Sequence, residues 1–498
     1  MNTFFLKRDI VYSLAVGFTF CFIFNFALTV TPFTLYSGYD QSIFEQVGLG
    51  MLQGRIPYVD LFDHKGFLLY VINAIGLWIS PGHLGIYILL SLYLSATFLC
   101  WLRICDYIVN PSLRYFPPLV TMLFACLCEG GNMTETWSLF AISLPVYYVV
   151  RYIYQNQSIQ VIEWLYIGMC IGVAANLRLN NIGPILAVCI FMLFDLCYKK
   201  SFLELLHGAM SVLIGFCIIT IGLVFLYMGL YGPQHMNDYW SCNIVFNFIY
   251  VEHFTHKPLW EAAPFYFPLS MLLVMLCTVR NFRSRMMWFT LIIFILTLFT
   301  TGTAYFSHYF TMFTPVILLS ISLSLGRSVC LSARSWCCAG MGLLVLMIIT
   351  FALFYQYFFR IADEYIAREK AITECRDKLN GLNKRQKASI WNYNTMMAGA
   401  NILQCSDLVQ CNKIFLPFQA DKQYGISEKG ELWDICPEVI LIDEFTQWGK
   451  DISENALESV GSLKDSSFIA RNYHLLYKSS TLIQNKRVCI LVKDINEY

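Results

Sequence analysis

Charged residues are scarce in this chain of 498 residues. They make up 13% of it, and hydrophobic residues make up 57%, whereas soluble domains carry about 25% charged residues. The net charge is only +1, so neither sign is in the excess that attracts nucleic acid. The composition excludes an ordinary soluble domain and predicts no nucleic-acid partner.

Other familiar signals are also missing. No cysteine pair has the CxxC spacing of a metal site, and 14 of the 19 cysteines lie before residue 360, mostly in apolar runs where cysteine behaves as a small hydrophobe. Only Cys405 and Cys411 suggest a disulfide, if the tail lies in an oxidising compartment. The internal repeats common in transporters are absent, and so is a nucleotide-binding glycine loop.

Long apolar runs are what the sequence does have. Residues 11–36 contain no charge, and a bilayer-spanning helix needs about 20 such residues. The run is too long for a signal-peptide core and lacks a cleavage site, so we interpret it as an uncleaved first span. The pattern predicts eleven spans, near 11–33, 84–105, 115–128, 135–152, 161–176, 181–198, 205–230, 263–280, 286–301, 308–326 and 336–358.

The basic residues predict how these spans are oriented. One set of connections carries twelve Lys and Arg residues, including Lys7, Arg103 and Lys199, and the opposite set carries four, Arg55, Lys65, Arg178 and Lys257. Cytoplasmic loops are enriched in Lys and Arg. We therefore expect a multi-pass protein of the inner (plasma) membrane with a cytoplasmic N-terminus and an extracytoplasmic C-terminus.

The last 140 residues differ in character from the rest. A polar helix pattern near 364–386 is followed by short β-rich runs at 413–418, 438–443, 473–478 and 488–492, which alternate with turn-prone stretches. The sequence thus predicts a transmembrane domain at 1–358, with a first outer loop at 34–83, and a small extracytoplasmic α/β domain at 359–498.

The first outer loop gathers charge at the edge of the membrane. Two short helices are predicted in it: one carries Ile43, Phe44, Val47 and Met51 on one face, and the other is the apolar run 67–80. Both are expected to lie along the membrane interface. Between them come Asp60, Asp63, His64 and Lys65, with Asp40 at the start of the first helix. Such charges are costly to desolvate unless paired, so a structural ion-pair cluster is one interpretation.

The loop also resembles a known family. Tyr39-Asp40, Phe44, Gly48, Gly54, Pro57-Tyr58, Asp60 and the run Phe62-Asp63-His64-Lys65-Gly66 match the first-loop motif of GT-C membrane glycosyltransferases, in the branch similar to protein O-mannosyltransferases and the lipid A aminoarabinose transferase. The segments 129–137 and 304–310 support the resemblance. Phe67 stands where proline is usual, and Gln41 replaces a second acid found in some relatives.

This resemblance implies an inverting transfer of a hexose or pentose. The donor would be a polyprenyl-phosphate-linked sugar, and the acceptor a hydroxyl of a glycan, lipid or protein at the outer face, in cell-envelope synthesis. Asp40 is the expected general base and Lys65 the expected phosphate partner. The other predicted substrate-binding residues are His64, Asp63, Asp60, Tyr58, Arg178 and His308.

Two alternatives remain at this point. The acids of the loop could hold a divalent metal, but Lys65 beside them argues against a cation, and no metal or other cofactor is predicted. A transporter or flippase of lipid-linked sugars would also need charge at this depth. The sugar, the acceptor, the oligomeric state and the role of the tail are not determined by the sequence.

Reporter fusions test the predicted orientation. Alkaline phosphatase folds only outside the cytoplasm, because its disulfides need an oxidising compartment. A fusion after Gly54 should be active and a fusion after Lys200 inactive. The reverse pattern would place Lys65 on the cytoplasmic side and contradict the predicted site.

Overall fold

The computed structural model describes residues 3–23, 38–128, 131–248, 263–279, 284–301, 306–326, 366–394, 399–413, 435–445, 468–469, 471–482 and 486–494. Most of them are helical. The helices before the tail are α1 Thr3–Ile23, α2 Tyr39–Leu52, α3 Phe67–Ile79, α4 Leu84–Ile108, α5 Phe116–Leu127, α6 Leu139–Gln155, α7 Val161–Leu177, α8 Gly183–Tyr198, α9 Phe202–Tyr231, α10 Met236–Trp240, α11 Tyr266–Thr278, α12 Arg285–Thr301 and α13 Thr314–Ser324.

Helices occur at ten of the eleven predicted spans. The remaining span, 336–358, lies outside the described residues, as does the end of the first. Among the described residues, three segments are long and apolar enough to cross a membrane: Leu84–Ile108, Leu179–Tyr198 and Phe202–Tyr231. The shorter apolar helices have 10–17 residues. The architecture is that of a polytopic α-helical membrane protein.

Glycines bring α7 and α9 into close contact. A Cβ atom on Gly168 would lie 2.0 Å from the carbonyl oxygen of Val212, and one on Gly215 would lie 2.1 Å from the carbonyl oxygen of Leu165. Any larger residue would push the two backbones apart. Small residues at helix contacts are typical of membrane proteins, where close backbone packing replaces the hydrophobic effect.

The two predicted loop helices are confirmed as α2 and α3, but α2 does not present its polar face to water. Gln41, Ser42, Glu45 and Gln46 are all at most 2% exposed. Helix α3 packs on one side of α2, and a tail helix packs on it from elsewhere. The sequence predicted the helix correctly and missed the cover, because the covering segment is more than 300 residues away along the chain.

The tail forms a small α/β unit, as predicted. Its helices are α14 at 366–380, α15 Lys384–Ala388 and α16 Gly399–Cys405, and its strands are β1 Ile390–Asn394, β2 Val439–Phe445, β3 Tyr473–Lys478 and β4 Lys486–Lys493. The strand order is β1-β2-β4-β3, with β1 parallel to β2 and the other pairs antiparallel. Strand β1 was not predicted, and the run 413–418 lies almost wholly outside the described residues.

Tail residues 399–413, which we call the tail strap, bind the first outer loop directly. The side-chain amide of Gln46 donates to the carbonyl oxygen of Leu408 at 3.0 Å. The backbone N–H of Phe62 donates to the carbonyl oxygen of Lys413 at 2.7 Å. The strap therefore covers α2 and also reaches the segment that carries the charged motif.

A buried ion pair lies at the same junction. Glu45 Oε2 is 3.1 Å from His83 Nδ1, and their side chains are 0% and 4% exposed. Burial lowers the pKa of His83, but Glu45 and Cys405 raise it more, so it lies well above its ordinary value. Because Cys405 faces His83, and Cys411 is held by its N–H to Ile390 O, both cysteines are free thiols and the suggested disulfide is absent.

Breaking this pair from one side should destabilise the protein. His83→Phe leaves the Glu45 carboxylate buried without its charged partner, a change that costs about 3–5 kcal/mol in other proteins. We expect a lower thermal unfolding midpoint in detergent. The double variant Glu45→Leu/His83→Phe removes both charges and should recover most of the loss; if the two single losses simply add, the residues do not act as a pair.

Candidate active site

A glycine contact places the charged motif against helix α7. The N–H of Gly66 donates to the carbonyl oxygen of Leu177 at 3.1 Å, and a Cβ atom at Gly66 would lie 1.7 Å from the carbonyl oxygen of Asn176. Only glycine fits this approach. The contact brings Lys65 next to Arg178, which directly follows the helix.

Asp63, His64 and Lys65 form a hydrogen-bonded chain. Lys65 Nζ lies 2.8 Å from His64 Nε2, and His64 Nδ1 lies 3.3 Å from Asp63 Oδ1. The same carboxylate oxygen accepts the backbone N–H of His64 at 2.8 Å. Burial raises the pKa of Asp63, but His64 and Lys65 lower it more. The carboxylate therefore remains charged inside the protein, beside the residues that need it.

Two tyrosines hold this chain in place. The Tyr58 hydroxyl donates to the carbonyl oxygen of Lys65 at 2.8 Å. The Tyr70 hydroxyl donates to Asp63 Oδ2 at 3.0 Å and accepts the Lys65 N–H at 3.1 Å. Tyr58 is 0% exposed and has a φ of 70°. Its ring packs among aromatic residues, so the predicted contact with a sugar ring is wrong and Tyr58 supports the loop instead.

Asp60 also has a structural role. Its Oδ2 atom accepts the backbone N–H of Ile56 at 2.7 Å. A side-chain oxygen that binds a nearby N–H stabilises a turn. Asp60 thus closes the turn that carries Pro57, and this contact does not match the predicted role in substrate binding.

Arg178 joins Lys65 through a different set of contacts. Its Nη1 donates to Glu135 Oε1 at 2.7 Å, its Nη2 donates to the Tyr309 hydroxyl, and its guanidinium carbon lies 3.9 Å from the centre of the Tyr309 ring. Burial opposes the charge of Arg178, but Tyr309 and Glu135 raise its pKa. Arg178 therefore stays charged, with N–H groups left over from its five.

Asp40 approaches the same cations. Its negative charge raises the pKa of Lys65 and that of Tyr309, so the carboxylate lies within electrostatic range of both. Asp40 is half-buried in the first turn of α2. Within the part of the chain that the structure describes, its carboxylate makes no hydrogen bond or ion pair. We call Asp40, Lys65, Glu135, Arg178 and Tyr309 the charged site.

His308 lies at the edge of the charged site. It is 8% exposed, stacks on Phe306 with an interplanar angle of 12° and lies edge-on to Tyr309. Burial raises the pKa of Glu135, but His308 and Arg178 lower it more. His308 is therefore close to Glu135 and contributes to the surroundings of Arg178.

An amide network positions the turn that carries Glu135. The side-chain amide of Asn132 donates to Asn73 Oδ1 at 2.6 Å, and Trp137 Nε1 donates to Asn132 Oδ1 at 2.9 Å. The N–H of Asn132 donates to Gln41 Oε1 at 3.2 Å. Gln41 stands where some relatives carry a second acid, so this position here serves the turn.

Several of these groups were missed at the sequence level. Tyr70 and Asn73 lie in a run that looked uniformly apolar, and Tyr309 is the neighbour of the predicted His308. Only the resemblance at 129–137 pointed to Glu135. Over the described ranges, no three His, Cys, Asp or Glu side chains converge as metal ligands.

An apolar crevice runs between α1, α4 and α5. Its lining reaches the turn before Glu135 through Gly131 and Thr136. The other lining residues are Phe20, Cys21, Leu90, Leu94, Met122, Ala125, Cys126 and Leu139. An apolar surface thus leads from the helix bundle toward the charged site.

Comparison with known proteins gives a full-length structural match. No protein-family model and no curated protein sequence matches the chain. The crystal structure of ArnT from Cupriavidus metallidurans bound to undecaprenyl phosphate is similar over 98% of this chain and 98% of that chain, with a TM-score of 0.58 and 11% sequence identity. The chain therefore has the GT-C fold, as a polytopic membrane bundle with a small α/β tail.

Proposed function

We propose that this protein is a glycosyltransferase that takes a sugar from a polyprenyl-phosphate carrier and passes it to an acceptor hydroxyl at the outer face of the membrane. The observation that carries the proposal is the charged site itself. Two cations, Lys65 and Arg178, lie within electrostatic range of each other, and Asp40 has no hydrogen-bond partner among the described residues. The ArnT structure, which holds undecaprenyl phosphate, supports the same class of donor.

Asp40 acts as the general base. The acceptor hydroxyl loses its proton as its oxygen attacks the anomeric carbon, and a carboxylate within reach can take that proton. Other acids of the region are committed elsewhere: Asp63 to His64 and Tyr70, and Glu135 to Arg178. A single displacement of this kind inverts the anomeric carbon.

Lys65 and Arg178 stabilise the leaving group. As the bond from the anomeric carbon to the phosphate oxygen breaks, negative charge grows on the phosphate, and fixed cations lower the energy of that state. The ammonium of Lys65 supplies a point charge, and the guanidinium of Arg178 supplies paired N–H donors suited to phosphate oxygens. Tyr309 and Glu135 hold the guanidinium in place.

The apolar crevice accounts for the lipid part of the donor. A polyprenyl chain is hydrocarbon, and it gains free energy from apolar surface that excludes water. The crevice leads to the turn beside Glu135. A carrier with its chain in this region would have its phosphate close to Lys65 and Arg178, at the outer ends of the helices.

Asp40→Asn should abolish sugar transfer and leave donor binding intact. The amide keeps the shape of the side chain but cannot take a proton, and general bases contribute about 10²–10⁴-fold to rates. The assay follows release of sugar from a radiolabelled polyprenyl-phospho-sugar by purified protein in liposomes. Asp407→Asn, the same change in the tail strap at an exposed turn, is the control. Movement of intact donor across the bilayer, without bond cleavage, would favour a flippase.

Lys65→Ala should weaken donor binding and also slow turnover. The ammonium contacts phosphate both before and during bond cleavage, so its loss raises KM and lowers kcat; a hydrogen bond between charged groups contributes about ten- to a hundredfold. Lys370→Ala, at an exposed position of α14, is the matched control. Unchanged kinetics in Lys65→Ala would remove Lys65 from the site.

A further inference from the structure

We propose that His64 is a positioning residue that works only as a neutral imidazole: its Nε2 accepts a hydrogen bond from Lys65 and so aims the ammonium at the donor phosphate. The inference rests on the proposed function and deepens it. It predicts that donor binding weakens in acid for a reason that lies in the protein and not in the donor.

The hydrogen-bond chain determines the tautomer of His64. An ammonium has only donors, so at 2.8 Å from Lys65 Nζ the Nε2 atom of His64 must be the acceptor. The ring proton is then on Nδ1, which lies 3.3 Å from Asp63 Oδ1. The Tyr70 hydroxyl at 3.0 Å from Asp63 Oδ2 holds the other side of that carboxylate. A chain of four side chains thus leaves one lone pair directed at Lys65.

Protonation of His64 would break this arrangement. The imidazolium has N–H donors at both nitrogens, so Nε2 would present a proton and a positive charge to the ammonium. Like charges at this separation repel, and neither group could accept from the other. Lys65 would have to turn away from its position, and the phosphate site would lose its point charge.

The surroundings of His64 favour the neutral form. Burial lowers the pKa of His64 below its ordinary value, and the charges of Lys65 and Arg178 lower it further, against the opposite effect of Asp63. Asp40 and Glu135 complete the charged groups that act on Lys65. The histidine is therefore neutral at pH 7 and gains its proton only below pH 6.5.

The second outer segment packs against the other face of the ring. Phe246 lies 5.4 Å from it, centre to centre, and Asn247 donates to the carbonyl oxygen of His64 at 2.8 Å. The titratable groups on this side are Asp238 and Cys242, with Lys413 of the tail strap 3.8 Å from Asp238. These two opposite charges pair with each other.

The experiment measures binding of undecaprenyl methyl phosphate in detergent micelles between pH 5 and 8. This phosphodiester keeps one negative charge across the range, whereas a phosphate monoester would itself titrate near pH 6. Wild-type affinity should fall as the pH drops below 6.5. His64→Gln keeps an oxygen acceptor facing Lys65 but cannot gain a proton, so its affinity should stay level. His64→Phe should bind about ten- to a hundredfold more weakly at every pH.

His235→Gln, in the short helix Pro233–His235, is the control for loss of a histidine from the outer face and should retain the acid weakening. The proposal is overturned if His64→Gln loses affinity in acid as the wild type does, or if wild-type affinity is level across the range. If the wild type binds the phosphodiester at no pH, the proposed function itself fails. Should His64→Phe not fold, the comparison of wild type with His64→Gln still decides.

Discussion

The contact between Gly66 and the end of helix α7 is the constraint on which the site depends. The loop backbone touches the carbonyl oxygens of Asn176 and Leu177, so the residues just before Gly66 and just after the helix must be neighbours. Lys65 and Arg178 are neighbours for that reason. A single methyl group at position 66 would separate the two segments, and the cations would no longer share one ligand.

Gathering these charges at the edge of a bilayer is costly, and the structure offsets the cost by pairing. Asp63 has His64 and Tyr70, Arg178 has Glu135 and Tyr309, and Glu45 has His83. Among the described groups, the Asp40 carboxylate stands out because it is near two cations without a direct partner. A group left in that condition is available to a ligand or to a proton, and this separates Asp40 from the structural acids around it.

The sequence predicted the helices, the tail class and most of the charged site, because apolar runs and local motifs are short-range signals. It could not assign roles within the motif. Asp60 and Tyr58 lie in the same ten residues as Lys65, yet one closes a turn and the other is fully buried. Which way each side chain points depends on contacts with α9 and α10, which no pattern inside the loop encodes. Tyr70 was missed for the converse reason: it looks like one more residue of an apolar helix.

The tail strap shows why the charged motif cannot be understood from the loop alone. Lys413 accepts the N–H of Phe62, two residues before His64, and Gln46 binds the strap from the helix that carries Asp40. The base and the lysine are thus both fixed from the tail, while Arg178 is fixed from the bundle. A shift of the strap would move Asp40 and Lys65 together relative to Arg178. The tail is therefore part of the frame of the site, and its closeness to the donor residues is a consequence of where the loop must be held.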